Sequence, residues 1–313
     1  MKTTSFAILS FVLVYGTASY ADTFGTDPNT TFDLEFVTIG NPGNADDRTG
    51  SPNPAGSVPY NYRIGKYEIS KDMIDKANTL GGLGLTHNGR GTNKPATSIS
   101  WFDAAKFVNW LNTSEGHLPA YKFDGSGNFQ VWRSSDVGYN PNNLFRNSQA
   151  KYVLPSVHEW YKAAFYDPMA SVYYKYPTAS DTIPTHVASG TQAGTAVYAH
   201  GGGPADITLA GGLSPYGTMA QGGNVWEWEE TDSDLVNDSD SAGLPPRRGL
   251  RGGYWSIHLF RILSSSNRNN PDPRDAGVSL GFRVASVDPI PEPTTCALAL
   301  AALCLAMGRR RAF

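Results

Sequence analysis

The segment that most restricts how this chain can fold is Gly222-Gly223-Asn224-Val225-Trp226-Glu227-Trp228, where a glutamate stands between two tryptophans just after a glycine pair. Paired glycines permit tight backbone turns, and large indole rings bury themselves against such turns. A carboxylate in that setting loses its water and must gain a cation or several hydrogen-bond donors. A metal ion or an arginine is therefore expected beside Glu227. Two further glycine-pair or glycine-aromatic segments follow, Arg251-Gly252-Gly253-Tyr254-Trp255 and Gly281-Phe282-Arg283-Val284-Ala285. The 33 Gly and 21 Pro, spread without a fixed period, extend the same demand to the whole chain: many turns, short elements, no long helical bundle.

The two ends read as addresses. Residues 1–21 have the pattern of a secretory signal, with Lys2, an apolar stretch from Phe6 to Tyr15, and a small-x-small cleavage site at Ser19-Tyr20-Ala21. Residues 289–313 contain Pro291-Glu292-Pro293, an apolar run from Cys296 to Met307 and the basic end Arg309-Arg310-Arg311. That run is shorter than the roughly 20 residues of a stable membrane span. It resembles the Pro-Glu-Pro sorting segments cut by exosortase-type proteases, which implies a transient membrane contact followed by cleavage. A tail anchor is the competing reading. The only cysteines of the chain, Cys296 and Cys304, both fall in this segment. Residues 22–288 thus offer no disulfide, no thiolate metal ligand and no cysteine nucleophile. Without Lys2, Arg309, Arg310, Arg311 and Glu292 the formal charge moves from −3 to −6, which disfavours nucleic acid and anionic membrane as partners.

Between the two addresses no linker or repeat divides the chain, so one domain is expected over 22–288. Alternation predicts strands over Thr31–Ile39 and Asn61–Ile69, separated by a loop rich in Gly, Pro and Asn. Ser100 with Asp103 and Ser156 with Glu159 mark two helix starts. The first presents Trp101, Ala104, Ala105, Val108 and Leu111 on one face; the second presents Trp160, Ala163 and Ala164 and stops at Pro168. A weaker helical piece, Lys71 to Leu80, is stopped by Gly81-Gly82. A few helices amid short strands make an irregular α+β domain.

Sites of common chemistries are missing or broken. His158-Glu159 suggests a zinc-protease helix, but Lys162 stands where the second histidine ligand belongs. The other histidines show no spacing of one helical turn. Neither a nucleophile elbow, a phosphate loop nor a dinucleotide fingerprint occurs. The acidic run Asp232, Asp234, Asp238, Asp240 lacks the central glycine of a calcium loop and has Val236 at a ligand position, so it reads as a solvated loop.

The glycine-rich segments, together with Pro95-Ala96-Thr97-Ser98-Ile99-Ser100-Trp101 and Leu154-Pro155-Ser156-Val157-His158-Glu159-Trp160, resemble the formylglycine-generating enzyme family, also called the sulfatase-modifying factor domain. The order and spacing match from Phe32 to Ala285. The resemblance implies one α+β domain related to the C-type lectin fold, and it groups the chain with nonheme-iron oxidative enzymes. It also implies where a site would lie. The oxidising members carry a serine and two cysteines at the positions of Tyr254, Ile257 and Ile262, so no copper site and no formylglycine formation are expected. The family's calcium site maps onto Gly223, Val225 and Glu227, with Ala220 in place of a further side-chain ligand. A structural calcium ion or a buried arginine is the expected partner of Glu227.

Two function classes follow from this. One is an exported binding or structural module of the cell envelope or extracellular matrix, with extracellular polysaccharide or an envelope protein as partner. The other is an oxidative or metal-dependent enzyme that uses this scaffold with different active-site residues, with His258 and Arg261 as the polar candidates beside Glu227. For glycan contact, exposed loop aromatics such as Tyr139, Tyr173 or Tyr174 are the expected platform, while Trp226, Trp228 and Trp255 are expected to fill the core.

Overall fold

A computed structural model of the chain describes residues 19–238 and 246–287. The strands in chain order are β1 (Ser19–Phe24), β2 (Phe32–Ile39), β3 (Tyr62–Gly65), β4 (Lys122–Phe123), β5 (Phe129–Gln130), β6 (Tyr152–Val153) and β7 (Tyr166–Asp167). They continue as β8 (Val172–Tyr173), β9 (Thr185–Val187), β10 (Thr195–Val197), β11 (Trp226–Asp232), β12 (Arg248–Arg251), β13 (Leu280–Gly281) and β14 (Ala285–Ser286). The helices are α1 (Lys71–Gly81), α2 (Trp101–Ser114) and α3 (Val157–Phe165), with a 3-10 turn at Phe260–Leu263.

An antiparallel five-stranded sheet in the order β1-β2-β3-β14-β6 closes the last strand between early ones, so both ends of the described chain share one sheet. A second sheet, β12-β11-β13, holds the segment around Glu227, with β12 antiparallel and β13 parallel to β11. The main core fills the space between the five-stranded sheet and α1 and α2; Phe24, Phe36, Ile64, Trp101, Val108 and Phe282 are completely buried in it. The fold is a single irregular α+β domain with much of its backbone in loops.

Local chemistry accounts for the helices. Ser100 Oγ accepts from the Asp103 amide at 3.1 Å, and Ser156 Oγ accepts from the Glu159 amide at 3.2 Å, while each acid reaches back to its cap. These reciprocal bonds satisfy the free N–H groups of the first turn. α1 has Ser70 as its cap and ends at Gly82, whose φ of 62° is left-handed. Three expectations need correction. The apolar face of α2 is broader than its periodicity suggests, since Phe107 and Trp110 are buried too. α3 stops at Phe165, short of Pro168, because the chain turns into the β7–β8 ribbon. The strand foreseen over Asn61–Ile69 pairs only over Tyr62–Gly65, and all four residues are buried because both faces are covered.

The segments 1–21 and 289–313 lie outside the described residues, apart from Ser19–Ala21 at the start of β1. Asp240 of the acidic run lies outside them as well. Among the described residues no helix is long and apolar enough to cross a membrane.

Candidate functional site

All seven residues of β11, Trp-Glu-Trp-Glu-Glu-Thr-Asp, are buried. Four acids on one buried strand need counter-charges, and each meets an arginine brought by another element. Arg283 grips Glu227 through two parallel bonds, Nε to Oε2 at 2.6 Å and Nη2 to Oε1 at 2.5 Å. Trp160 Nε1 donates to the same Oε2 at 2.7 Å. Glu229 accepts from Arg251 Nε at 2.6 Å and Arg268 Nε at 2.7 Å. Glu230 accepts from Arg146 Nε at 2.7 Å and shares that arginine with Glu159 of α3. Asp232 lies 3.8 Å from Arg248, whose guanidinium stands 4.0 Å from the Phe145 ring and 4.5 Å from that of Trp101.

The electrostatics follow from this pairing. Burial alone would raise the pKa of Glu159, but the Arg146 guanidinium and its hydrogen bonds bring it down to about 2. Glu229 is likewise lowered, the charges of Arg268 and Arg251 outweighing burial. Glu68 moves the other way: burial and then the charge of Glu227 raise its pKa well above the usual range, although it accepts from Asn224 Nδ2 and the Val225 amide. Arg248 falls to about 10 through burial.

Glu227 thus has the buried arginine foreseen for it. The fit of calcium can be judged at the same carboxylate. It accepts three hydrogen bonds from Arg283 and Trp160, which leaves one of about four lone-pair positions, on Oε1. An ion there would sit against a guanidinium, with Gly223 and Val225 offering carbonyls and Ala220 offering no side-chain ligand. This donor set fits an arginine-paired glutamate better than a calcium ligand. Among the described residues, no group of three or more His, Cys, Asp or Glu side chains is arranged to hold a metal ion.

Gly223 shows why this strand enters as it does. Its φ is 96°, and a Cβ there would lie 2.2 Å from the Val197 carbonyl oxygen. Only glycine lets the two backbones approach this closely.

The second half of the candidate site runs from Gly253 to Ile262. A Cβ on Gly253 would lie 3.3 Å from Ile262 Cγ2, 3.7 Å from Ile257 Cγ2 and 3.8 Å from Leu263 Cγ. The two isoleucines therefore converge on one point in the fold, and that point is lined with aliphatic groups. Tyr254 is partly buried, edge-on to Trp255 with ring centroids 5.7 Å apart and tilted against Trp226 at 6.5 Å. The two isoleucines offer a metal ion no ligand, and none of these side chains is a thiol. His258 and Arg261 are exposed on the outside of this turn, and neither shares a hydrogen bond or ion pair with the fully buried Glu227. The polar trio foreseen from the sequence is not assembled.

Trp226, Trp228 and Trp255 are buried. Tyr139, Tyr173 and Tyr174 are half-buried, and Tyr173 is tied into the core by bonds to Asn44 and the Ala45 carbonyl. The zinc-protease reading fails on geometry as well, since Lys162 is buried and donates to the Asn41 carbonyl at 2.8 Å. Sequence reasoning missed Glu68, Arg146, Arg268 and Arg90. The first three had no signal beyond being charges in hydrophobic surroundings. Arg90 had one: a cation between two glycines, Gly89 and Gly91.

Comparison with known proteins agrees with this architecture. Residues 36–287 match the Sulfatase-modifying factor enzyme 1-like domain. A hercynine oxygenase from Mycolicibacterium thermoresistibile is 30% identical over 150 residues, an alignment covering 42% of this chain and only 31% of that protein. Among solved structures, Treponema denticola variable protein 1 superposes with a TM-score of 0.56 at 20% identity, over 87% of this chain and 99% of that one. CarF gives 0.54 at 19% identity, over 82% and 98%. PvdO from Pseudomonas aeruginosa gives 0.51 at 17%, over 84% and 99%. These structures share the fold. With the match spanning nearly all the described residues, the chain belongs to the sulfatase-modifying factor family.

Proposed function

We propose that this chain is an exported, non-oxidising member of the family that serves as a binding module of the cell envelope or extracellular matrix, with polysaccharide as its ligand. The observation that supports this reading is the aliphatic convergence of Ile257 and Ile262 against Gly253, with Tyr254 beside it. Thiol-dependent oxidation at that point has no thiol among these side chains to bind copper or to supply electrons. The arginine-paired acids of β11 are committed to holding the strand rather than to acid-base work. Export rests on the pattern of residues 1–21 and 289–313, with an exosortase-type protease acting on the latter.

A second reading, catalysis by other residues on the same scaffold, has the similarity to a hercynine oxygenase in its favour. Two assays test the first reading. The purified protein is incubated with a sulfatase-motif peptide, copper and oxygen and the peptide is weighed; no aldehyde above the protein-free control is expected. It is also passed over the native host's exopolysaccharide. Retention above that of an unrelated acidic protein of similar size is expected, and equal retention would reject the glycan role.

A further inference from the structure

Arg90 departs from the rule that governs the buried arginines. Arg63, Arg146, Arg248, Arg251, Arg268 and Arg283 each face a carboxylate. Arg90 is half-buried and faces none among the described residues. Its guanidinium lies 4.5 Å above the Trp255 ring, and its Nη1 donates to Thr97 Oγ1 at 3.1 Å and to the Val278 carbonyl at 2.9 Å. These contacts fix the group in place and use up Nη1. They leave the Nε and Nη2 edge uncommitted.

That edge is the one with which this protein grips carboxylates elsewhere. Arg283 holds Glu227 by Nε and Nη2, and Arg274 holds Asp272 by the same two nitrogens at 2.9 and 2.5 Å. The planar fork of guanidinium matches the two oxygens of a carboxylate, which makes such pairs short and strong. A cation held rigidly with its fork empty is prepared for an anion from outside. Burial without a counter-charge lowers the pKa of Arg90, the direction expected for a guanidinium that lacks its partner.

A second uncommitted donor is attached to the same tryptophan. The His200 amide donates to the Trp255 carbonyl at 3.0 Å. In its ring, Nδ1 accepts from the Gly202 amide at 3.2 Å, so the proton of the neutral ring sits on Nε2. That Nε2 is buried and has no hydrogen-bond partner among the described residues. Lys94, from the loop that carries Arg90, is also felt at His200, but its charge is balanced by Asp206 at 3.0 Å, so the uncompensated cation here is Arg90. The net negative charge of the chain opposes an anion only weakly here, because charges beyond about 8 Å are screened at physiological salt. The Arg90 loop also exposes Thr92 and Asn93, a hydroxyl and an amide of the kind that meet sugar hydroxyls, while the Asn88 amide is bonded to Thr97 Oγ1 and the Arg90 amide and holds the loop.

We infer that Arg90 and His200, both held on Trp255, form a subsite for an acidic sugar, with the carboxylate of a uronic acid on the Arg90 fork. This deepens the polysaccharide reading above and rests on it. Calorimetric titration with a glucuronate-containing disaccharide, and with its neutral glucose counterpart, tests it. The acidic sugar should bind and the neutral one should bind at least ~10-fold more weakly, as expected if a bidentate charge-assisted pair is lost. Arg90→Lys keeps the charge and loses the fork, and should weaken binding by about the same factor without a change in melting temperature. His200→Gln should weaken it less. Equal affinity for the two sugars, or an unchanged affinity in Arg90→Lys, would overturn the proposal. Binding of an acetylated peptide through its free carboxylate, without binding of the acidic sugar, would overturn the saccharide assignment. If Arg90→Lys fails to fold, the comparison of the two sugars on the wild type still decides. Retention on host polysaccharide by wild type and Arg90→Lys alike, with no acidic-sugar binding, would remove the subsite and leave the polysaccharide reading standing; failure of both would remove both.

Discussion

Glu227 has no water to fall back on, so its value to the fold lies in what its loss would strand. Without it, Arg283 keeps its bonds to the Gly65 and Met219 carbonyls but carries an unbalanced charge, and Trp160 Nε1 loses its acceptor. Breaking a buried ion pair from one side costs about 3–5 kcal/mol. Glu227→Ala should therefore lose about 3 kcal/mol or more in urea unfolding, and an unchanged unfolding midpoint would show that the pair is dispensable. Because the carboxylate already belongs to Arg283, chelating agents should leave the melting temperature of the wild type in place; a fall on chelation, reversed by calcium, would establish an ion at Gly223, Val225 and Glu227. Glu159 gives a second handle through pH. Its pKa drops from the usual 4.5 to about 2 on folding, so the folded state holds fewer protons than the unfolded state between those values. Its contribution is complete above pH 4.5 and disappears as the pH falls toward 2, an amount of about 3 kcal/mol for such a shift. Glu159→Gln should lower stability at pH 7 and flatten this acid limb; a variant with the wild-type slope between pH 4.5 and 2 would assign the acid sensitivity to other groups.

At the level of elements, what could be read from the sequence was what depends on neighbours in the chain. Ser100 with Asp103 and Ser156 with Glu159 announce helix starts because a cap is a contact over three residues. Gly82 ends α1 for a reason equally local, a left-handed φ. The glycine-pair segments revealed that Glu227 must be buried, since two flanking tryptophans leave little alternative. The identities of the partners were illegible, because Arg146 reaches Glu159 and Glu230, and Arg268 reaches Glu229, across loops whose path no periodicity encodes. The candidate polar residues stay apart for the same reason: His258 and Arg261 are close to the glycine pair in sequence, yet both are exposed, His258 before the 3-10 turn and Arg261 within it, while Ile262 turns in. Glu159 also shows one residue serving two levels, closing the capping box of α3 and pairing with Arg146. The two roles can be separated by mutation. Ser156→Ala removes only the cap and should cost about 1 kcal/mol, while Glu159→Ala removes cap and ion pair together and should cost about 3 kcal/mol or more. Equal losses in urea titrations of the two variants would mean that the ion pair adds nothing to the cap.

Across the whole molecule, the arrangement of the five-stranded sheet bears on how the chain can be processed. β14, the last described strand, lies between β3 and β6, so the described chain brings its final strand into the interior of that sheet by Ser286. At the other end, β1 pairs with β2 from Ser19 to Phe24, across the proposed cleavage point after Ala21. The side-chain anchors of β1 lie on the far side of that point. Asp22 receives both Nη1 and Nη2 of Arg63, at 2.9 and 2.8 Å, and the Tyr152 hydroxyl at 2.8 Å, while Phe24 is fully buried against Phe32, Trp110 and Tyr152. Tyr20, before the cut, is 55% exposed. Cleavage after Ala21 therefore removes backbone pairing at a sheet edge and leaves the packing and the ion pair in place. Mass spectrometry of envelope and medium fractions from the native host should find a protein that begins at Asp22 and ends close to Glu292. Protein starting at Asp22 should melt within about 4 °C of one that keeps Ser19–Ala21, since edge pairing of this length contributes on the order of 1 kcal/mol, whereas one starting at Gly25, without Asp22 and Phe24, should melt well below both. An N-terminus downstream of Phe24, or a mature chain that retains Arg309–Arg311, would refute processing at these two points.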